Sequence, residues 1–308
     1  MRPFQGKLRI RHLETILTIV DCGSVSKASQ QLHMTQSGLS RAIAELEEIV
    51  GGRLFERTGK GMTCTALGET MCRHARILLG DFAKAETDMI AVSRGDLGSL
   101  AVGCFSMFSG WPLAESVQRF RVQYPRVELT VQVGMHERMI EDLDSGRLDV
   151  LVSRSLPSLD SEIYRSVTLL DDAVILACSP GHPLALSERI GLADCVAYPW
   201  VTAPPQTRVR TELESFLRQR EFAVPDVVGA LSLEFALEML ASGVYLCMLP
   251  RSVAMVHQAR GAVHVLPTVL EVEFPPLAAI WRRERSSTRH IREFAAVLAS
   301  VVEEHSSA

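Results

Sequence analysis

No segment of this 308-residue chain approaches the roughly 20 consecutive apolar residues that span a bilayer. Apolar runs such as Val244–Leu249 stop after six residues, so no membrane partner is expected. The opening MRPFQGKLRIR carries basic residues with no apolar stretch behind them. It is read as lacking a secretion signal, which places the chain in the cytoplasm. The seven cysteines (Cys22, Cys64, Cys72, Cys104, Cys178, Cys195 and Cys247) include no CxxC pair, and no histidine cluster has metal spacing. In a reducing compartment such cysteines are small buried hydrophobes, with a redox pair such as Cys178 and Cys195 as the alternative. There is no GxGxxG, Walker A, HExxH or GxSxG. Ser24-Val25-Ser26-Lys27 satisfies Ser-x-x-Lys without its companion motifs. No cofactor, no metal and no enzymatic activity are expected.

Nor is the chain basic as a whole, with a net charge of −4, which excludes a protein whose entire surface coats nucleic acid. The distribution of charge says more. Residues 1–65 hold nine lysines and arginines against six acids, a net of +3, whereas the remainder holds 23 against 30, a net of −7. A small basic head on a larger acidic body fits a DNA-binding domain joined to something else. At 47% hydrophobic and 22% charged residues the composition is that of a globular protein, long enough for two domains.

The head reads as three helices and a wing. Leu13, Ile16, Leu17 and Val20 recur at helical spacing up to Gly23, a C-terminal stop. Ser24 is placed to cap a helix over Val25–Leu32, with Ala28 and Leu32 inward. Thr35 is placed to cap a third helix with Leu39, Ile43 and Leu46 inward, ending near Gly51-Gly52. An extended piece from Leu54-Phe55 turns at Gly59-Lys60-Gly61 and returns through Met62 to Thr65. A helix from Thr65 to about Arg94 follows, carrying Met71, Ala75, Leu78, Phe82, Ala85, Met89 and Val92 at alternating spacings of four and three. That is a heptad seam, the pattern of a paired helix; the alternative is a helix packed on its own domain. Ser93-Arg94-Gly95-Asp96-Leu97-Gly98 reads as a hinge.

From Ser99 onward short apolar runs alternate with helical stretches. Strands are expected at Leu100–Phe105, Val127–Val133, Asp149–Val152, Val174–Cys178, Tyr198–Val201, Val227–Leu231, Val244–Leu249, Val263–Leu266 and Leu277–Trp281. Helices are expected at Pro112–Tyr124 and Glu137–Ser145. Such alternation predicts parallel-rich sheets with ligands at the strands' C-terminal edges.

A helix-turn-helix lays the N-terminal half of its second helix in the major groove. Here that stretch is Thr35-Gln36-Ser37-Gly38-Leu39-Ser40-Arg41. Gln36 and Arg41 have side chains that bond base edges, Ser37 and Ser40 reach bases or phosphates, and Gly38 permits close approach. Arg53, Arg57 and Lys60 suit the wing for backbone or minor-groove contact. Taken singly, each is as well explained as a solvated surface residue.

The ordered set Leu13, Gly23-Ser24, Ala28, Leu32, Thr35-Gln36-Ser37, Ser40, Ile43, Leu46-Glu47, Gly51, Leu54-Phe55-Glu56-Arg57, Thr65 and Gly68 resembles the LysR-type transcriptional regulators. Farther on, Gly146-Arg147-Leu148-Asp149 and His182-Pro183-Leu184 match motifs of that family. The chain departs from the family pattern at Ala28-Ser29, at Val50-Gly51 and at Gly243-Val244-Tyr245-Leu246. The resemblance implies an all-α winged helix-turn-helix domain over 1–65, with Ser24 among its DNA contacts. A linker and dimerisation helix over 66–95 follows, then an α/β effector domain of the type 2 periplasmic-binding-protein fold over 96–308. That last domain would divide into subdomains at about 99–170 plus 265–308, and 171–264.

The resemblance also implies the partners: double-stranded DNA, a small-molecule effector, and a second copy of the chain, with dimers pairing into a tetramer. RNA polymerase is a further candidate. Met71, Leu78, Phe82 and Met89 would carry dimerisation. The effector would lie in a cleft lined by Phe105, Ser106, Met107, Met135, His136, Arg154, Thr202 and Ala203. There Arg154 suits a carboxylate and the methionines suit an apolar body. Ser106 and Thr202 are equally well explained as helix caps, His136 as a structural histidine, and Arg154 as half of a salt bridge. Arg2-Pro3-Phe4 and Pro204-Pro205-Gln206-Thr207 look like a subgroup regulating catabolism of aromatic acids or sugars. A free-standing solute-binding protein is the rival reading of the body, set aside on the missing signal and the DNA-binding head.

Overall fold

The computed structural model describes residues 7–58, 61–93, 97–155, 159, 161–187, 189–205, 207–267, 270, 274–286 and 288–306. The side chains of Arg57, Thr58, His136, Glu137 and Ser306 lie outside that description, as do Arg2, Pro3, Phe4, Lys60, Gln206 and the expected hinge residues Arg94, Gly95 and Asp96. The chain divides into two compact units, one of Met1–Gly95 with Glu141–Leu148 and one of Asp96–Ile140 with Asp149–Ala308.

The first unit contains α1 (Ile10–Cys22), α2 (Val25–Gln31), α3 (Gln36–Val50), β1 (Phe55–Thr58), β2 (Gly61–Cys64) and α4 (Ala66–Ser93). Helix α1 ends on Gly23 at φ 61°, and α3 on Gly51 at φ 77°. Both are left-handed positions that glycine occupies without strain. Thr35 caps α3, its Oγ1 accepting from Gly38 N at 3.1 Å. Ser24 differs. It occupies the N-cap of α2, yet its hydroxyl makes no capping bond. Its backbone is extended, at φ −154° and ψ 130°, like that of the capping Thr35 and Ser232 in its ψ of 152° and 123°, so the backbone does not separate it from them. Leu13, Ile16, Ala28, Leu39, Ile43 and Leu46 are buried together with Leu54, Cys72 and Ala75.

The heptad seam of α4 splits in two. Ala75 is buried and Met71 packs on this core, whereas Leu78, Phe82, Met89 and Val92 are 50, 57, 67 and 62% exposed. The first turns of α4 therefore belong to the head, and only the later part presents an unpaired apolar stripe.

The second unit opens with β3 (Ser99–Cys104), α5 (Leu113–Gln123), β4 (Glu128–Val133), α6 (His136–Asp144, whose last four residues group with the first unit), β5 (Val150–Arg154), β6 (Tyr164–Leu170) and β7 (Val174–Cys178). Next come α7 (Leu192–Val196), β8 (Trp200–Thr202), α8 (Arg208–Gln219), β9 (Val227–Gly229), α9 (Leu233–Ala241) and β10 (Leu246–Pro250). It closes with α10 (Arg251–Ala259), β11 (His264–Val265), β12 (Leu277–Arg282) and α11 (Arg289–Ser306).

Two five-stranded sheets result, ordered β4-β3-β5-β12-β6 and β11-β7-β10-β8-β9. The chain crosses between them after β6 and again between β11 and β12. Each sheet has two parallel and two antiparallel pairings. The expectation of parallel-rich sheets is thus corrected. In each sheet one strand that enters from a crossover, β12 in the first and β7 in the second, runs antiparallel to both its neighbours. Strand β6 had no signal in the sequence, because Arg165, Ser166, Val167 and Thr168 are exposed and leave no apolar run. Among the described residues no helix is long and apolar enough to cross a membrane.

Gly68 has a specific packing role. A Cβ built there would stand 2.0 Å from Leu54 O, a backbone atom that cannot step aside. Gly68→Ala is expected to destabilise the first unit by about 3 kcal/mol, at the upper end of overpacking costs. Urea titration followed by circular dichroism would measure it, and an unchanged midpoint would refute the close approach.

Candidate nucleic-acid interface and ligand cleft

The N-terminal turns of α3 bury Leu39 and leave Gln36, Ser37, Ser40 and Arg41 exposed. Residues 37, 40 and 41 share one side because positions three and four apart face the same way on a helix. Gln36 is anchored: its Nε2 donates to Ser26 Oγ at 3.1 Å, a bond from α3 to α2. Ser26 had only its place in Ser-x-x-Lys to single it out. Gly38 has a local reason, since a Cβ there would stand 3.0 Å from Thr35 Oγ1 and crowd the cap. The free N–H groups of this terminus, with the cap in place, present positive charge toward an anion.

The wing is held from below. Glu47 Oε1 accepts from Leu54 N at 2.8 Å and Phe55 N at 3.4 Å, tying α3 to the entry of β1. Thr65 N donates to Leu54 O at 3.0 Å, and Thr65 Oγ1 donates to Arg53 O at 2.7 Å while accepting from Gly68 N at 3.0 Å. Arg53 is exposed at the base of the wing; the Arg57 side chain and Lys60 fall outside the described residues. His12 lies buried behind α3. Burial pushes its pKa down despite Glu45 Oε1 at 3.9 Å, and its Nδ1 accepts from Arg9 N at 3.2 Å. It is a structural, neutral histidine.

In the second unit the candidate ligand residues divide by environment. Phe105, Ser106 and Met107 lead into a 3₁₀ turn after β3. Ser106 Oγ accepts from Leu233 N at 3.3 Å, and Met107 packs against the cores of both sheets. This turn therefore bridges the two halves of the unit. Thr202 is buried with its hydroxyl donating to Met248 Sδ at 3.4 Å, so its polar atom is spent inside the sheet. Ala203 is half-buried, Met135 is 63% exposed, and the His136 side chain falls outside the description.

Arg154 ends β5 beside the returning crossover. Its Nη1 donates to Pro275 O at 2.8 Å, and its guanidinium lies 5.9 Å from the Phe108 ring centroid and 5.3 Å from that of Phe274. Nη2 is buried and hydrogen-bonds to nothing among the described residues. Burial works against the charge of this guanidinium, while the Asp172 and Asp171 carboxylates favour it. A buried donor left over beside two aromatic rings has the character of an acceptor site.

Two features had no signal in the sequence. Asp172, on the first crossover, accepts from Ser252 N at 2.9 Å and Ser252 Oγ at 2.7 Å, pinning the crossover to the start of α10. The bridge from Ser106 to Leu233 joins residues far apart in sequence. Cys178 and Cys195 lie within the second sheet's core without exposure, and burial pushes the Cys178 thiol up to about 11. Their place withholds the thiolate that oxidant sensing needs. Among the described residues no group of three or more His, Cys, Asp and Glu could hold a metal ion.

Comparison with known proteins gives matches along nearly the whole chain. A family model described as bacterial regulatory helix-turn-helix protein, lysR family, matches residues 10–69, and one described as LysR substrate binding domain matches residues 93–303. The HTH-type transcriptional regulator MetR of Haemophilus influenzae is 28% identical over 289 residues, covering 93% of this chain and 92% of that relative. The regulator GbpR of Azospirillum brasilense is 24% identical over 283 residues, covering 91% and 83%. Among solved structures, CbnR, a LysR family transcriptional regulator, superposes with a TM-score of 0.60 at 20% identity over 96% of this chain and 99% of that one. A structure of full-length CbnR complexed with target DNA gives 0.59 at 21% identity, over 96% and 100%. At such identities the structural likeness speaks for the fold.

Proposed function

The chain belongs to the LysR family of DNA-binding transcriptional regulators with an effector-binding domain, and from that premise we propose which residues do the work. Gln36, Ser37, Ser40 and Arg41 read one half of a two-fold operator in the major groove, with Thr35 presenting the helix N-terminus to phosphate. Ser24, Arg53, Arg57 and Lys60 contact the flanking backbone. The later part of α4 pairs with that of a second copy through Leu78, Phe82 and Met89, with Met71 at the edge of the pairing. A bare apolar stripe of this length is unfavourable in water and is covered by a like stripe in a coiled pair.

The effector is a carboxylate with an aromatic or otherwise apolar body. The single observation that carries this reading is Arg154, whose buried Nη2, near the Phe108 and Phe274 rings, has no hydrogen-bond partner among the described residues. A carboxylate supplies the missing acceptor and balances the charge, and the rings accept the apolar part. Phe105, Ser106, Met107, Met135, His136, Thr202 and Ala203 shape the cleft around it. Closure would act through the Ser106–Leu233 bridge, which joins the two halves that the ligand would draw together. Through the dimer, or a pair of dimers, that change would reach the operator and RNA polymerase.

Thermal-shift screening of the full chain with a panel of aromatic and aliphatic carboxylates tests the effector class. A ligand that binds only the folded form raises the melting temperature. Arg154→Ala is expected to abolish the shift and leave ligand-free operator binding intact; a full shift in that variant would overturn the role of Arg154. Arg41→Ala is expected to weaken binding of the preferred operator by about 1–3 kcal/mol relative to a mismatched one. Competition footprinting reads this, and equal discrimination would exclude a base contact. Leu78→Asp with Phe82→Asp is expected to yield monomers in sedimentation equilibrium, and an intact dimer would refute pairing through α4.

A further inference from the structure

Among the described residues of the first unit, Cys64 and Cys72 are two cysteines that line one cavity. Cys64 closes β2 opposite Phe55. Cys72 lies one helical turn beyond Gly68, on the face of α4 turned toward the wing. Contact between these elements is close, as a Cβ built at Gly68 would stand 3.4 Å from Cys64 Cβ. Both line one cavity of about 460 Å³, together with Val20, Phe55, Glu69 and Arg76. Cys64 is half-buried and reached through this cavity, whereas Cys72 lies within the core. The remaining thiol of the unit, Cys22, is turned elsewhere and donates to Gln31 Oε1 at 3.1 Å.

We propose that Cys64 and Cys72 are an oxidisable dithiol, converted by a hydroperoxide into a disulfide that clamps the base of the wing to α4 and weakens operator binding. The Cys64 thiolate attacks one peroxide oxygen. An S–O bond forms, the O–O bond breaks, sulfur loses two electrons, and the departing hydroxide takes up a proton as water. Cys72 then attacks the sulfenic sulfur. The S–S bond forms, the S–O bond breaks, and hydroxide leaves as water with the Cys72 proton. In sum two thiols and one hydrogen peroxide give one disulfide and two waters.

The chemistry of the cavity suits these two roles. Burial foremost, and the neighbouring Cys64, push Cys72 up to about 12, so it waits as a thiol until a sulfenic acid stands beside it. The Arg76 guanidinium works toward negative charge on Cys72 and the Asp21 carboxylate, 3.8 Å from that guanidinium, works against it, both less than burial. A disulfide holds its sulfurs at about 2.05 Å, closer than two unbonded thiols can stand. Closing that gap draws β2 toward α4 and moves its partner Phe55. The consequence for DNA rests on the reading that the wing contacts the operator.

Lys60 and Arg73 bracket a tryptic peptide, Gly61–Arg73, that holds both sulfurs, and cleavage after Glu69 separates them. After one equivalent of hydrogen peroxide on the full chain, this peptide should lose two hydrogens and resist alkylation. It should also remain joined after cleavage at Glu69 until reductant is added. Operator affinity, read by fluorescence anisotropy, should fall about tenfold, or 1.4 kcal/mol, and recover with dithiothreitol. In Cys72→Ser, dimedone should trap a sulfenic acid on Cys64, and peroxide should leave affinity unchanged. Cys64→Ser, at a less buried position, should likewise abolish the response and carries the test if Cys72→Ser does not fold. A pair that stays alkylatable under peroxide overturns the proposal. So does a disulfide that forms with no change in affinity. Arg53→Ala then separates the causes: normal binding by that variant faults the wing–DNA reading, and weakened binding faults the clamp.

Discussion

Thr65 joins the three parts of the DNA-binding unit that must keep fixed positions. Its amide holds Leu54, its hydroxyl holds Arg53, and the same hydroxyl caps α4 through Gly68 N. The entry to the wing, the exit from it and the start of the linker helix therefore meet within one hydrogen-bond cluster. Gly68 lets α4 approach that cluster closely, because any side chain there would collide with Leu54 O. Glu47 extends the arrangement to α3 by accepting from Leu54 and Phe55. A shift at this junction reaches the wing, the recognition helix and α4 together, which is why a thiol pair beside it is well placed to control binding.

The effector-binding unit depends on a different constraint. Two sheets built from a chain that crosses between them twice must be joined at those crossovers and at few other points. Asp172 secures the first crossover by accepting from both the amide and the hydroxyl of Ser252. Arg154 packs against the second, donating to Pro275 O beside Phe274. Ser106 and Leu233 make a bridge away from the crossovers. Such a body can change the relation of its halves while each core stays intact, because Trp200 and Phe294 are buried on separate sheets. Coupling between a ligand and DNA needs an element with two arrangements of that kind.

The DNA-binding head was readable from sequence because its signals are local. Gly23 and Gly51 stop helices through their own backbone conformation, and Thr35 caps through a residue three places on. Helical spacing alone identifies Leu39, Ile43 and Leu46 as inward. Ser24 shows the limit of local rules: its residue type and extended backbone suit a cap, but its hydroxyl makes no capping bond. Strand β6 escaped because a solvated strand carries no apolar signature.

By itself the sequence determined the family, the order of the elements in the head, the head's basic charge and the apolar repeat of α4, since these depend on residue type and spacing. Only the tertiary structure decided which half of that repeat is covered by its own unit and which is bare. It alone decided that each sheet mixes parallel and antiparallel pairs, that Thr202 spends its hydroxyl on Met248, and that Arg154 keeps a buried donor unmatched among the described residues. It also brought Cys64 against Cys72 while sealing Cys178 in a core. The physical reason is the same in each case. Exposure and hydrogen-bond pairing depend on what stands opposite a side chain, and in a folded chain the opposite group comes from another element.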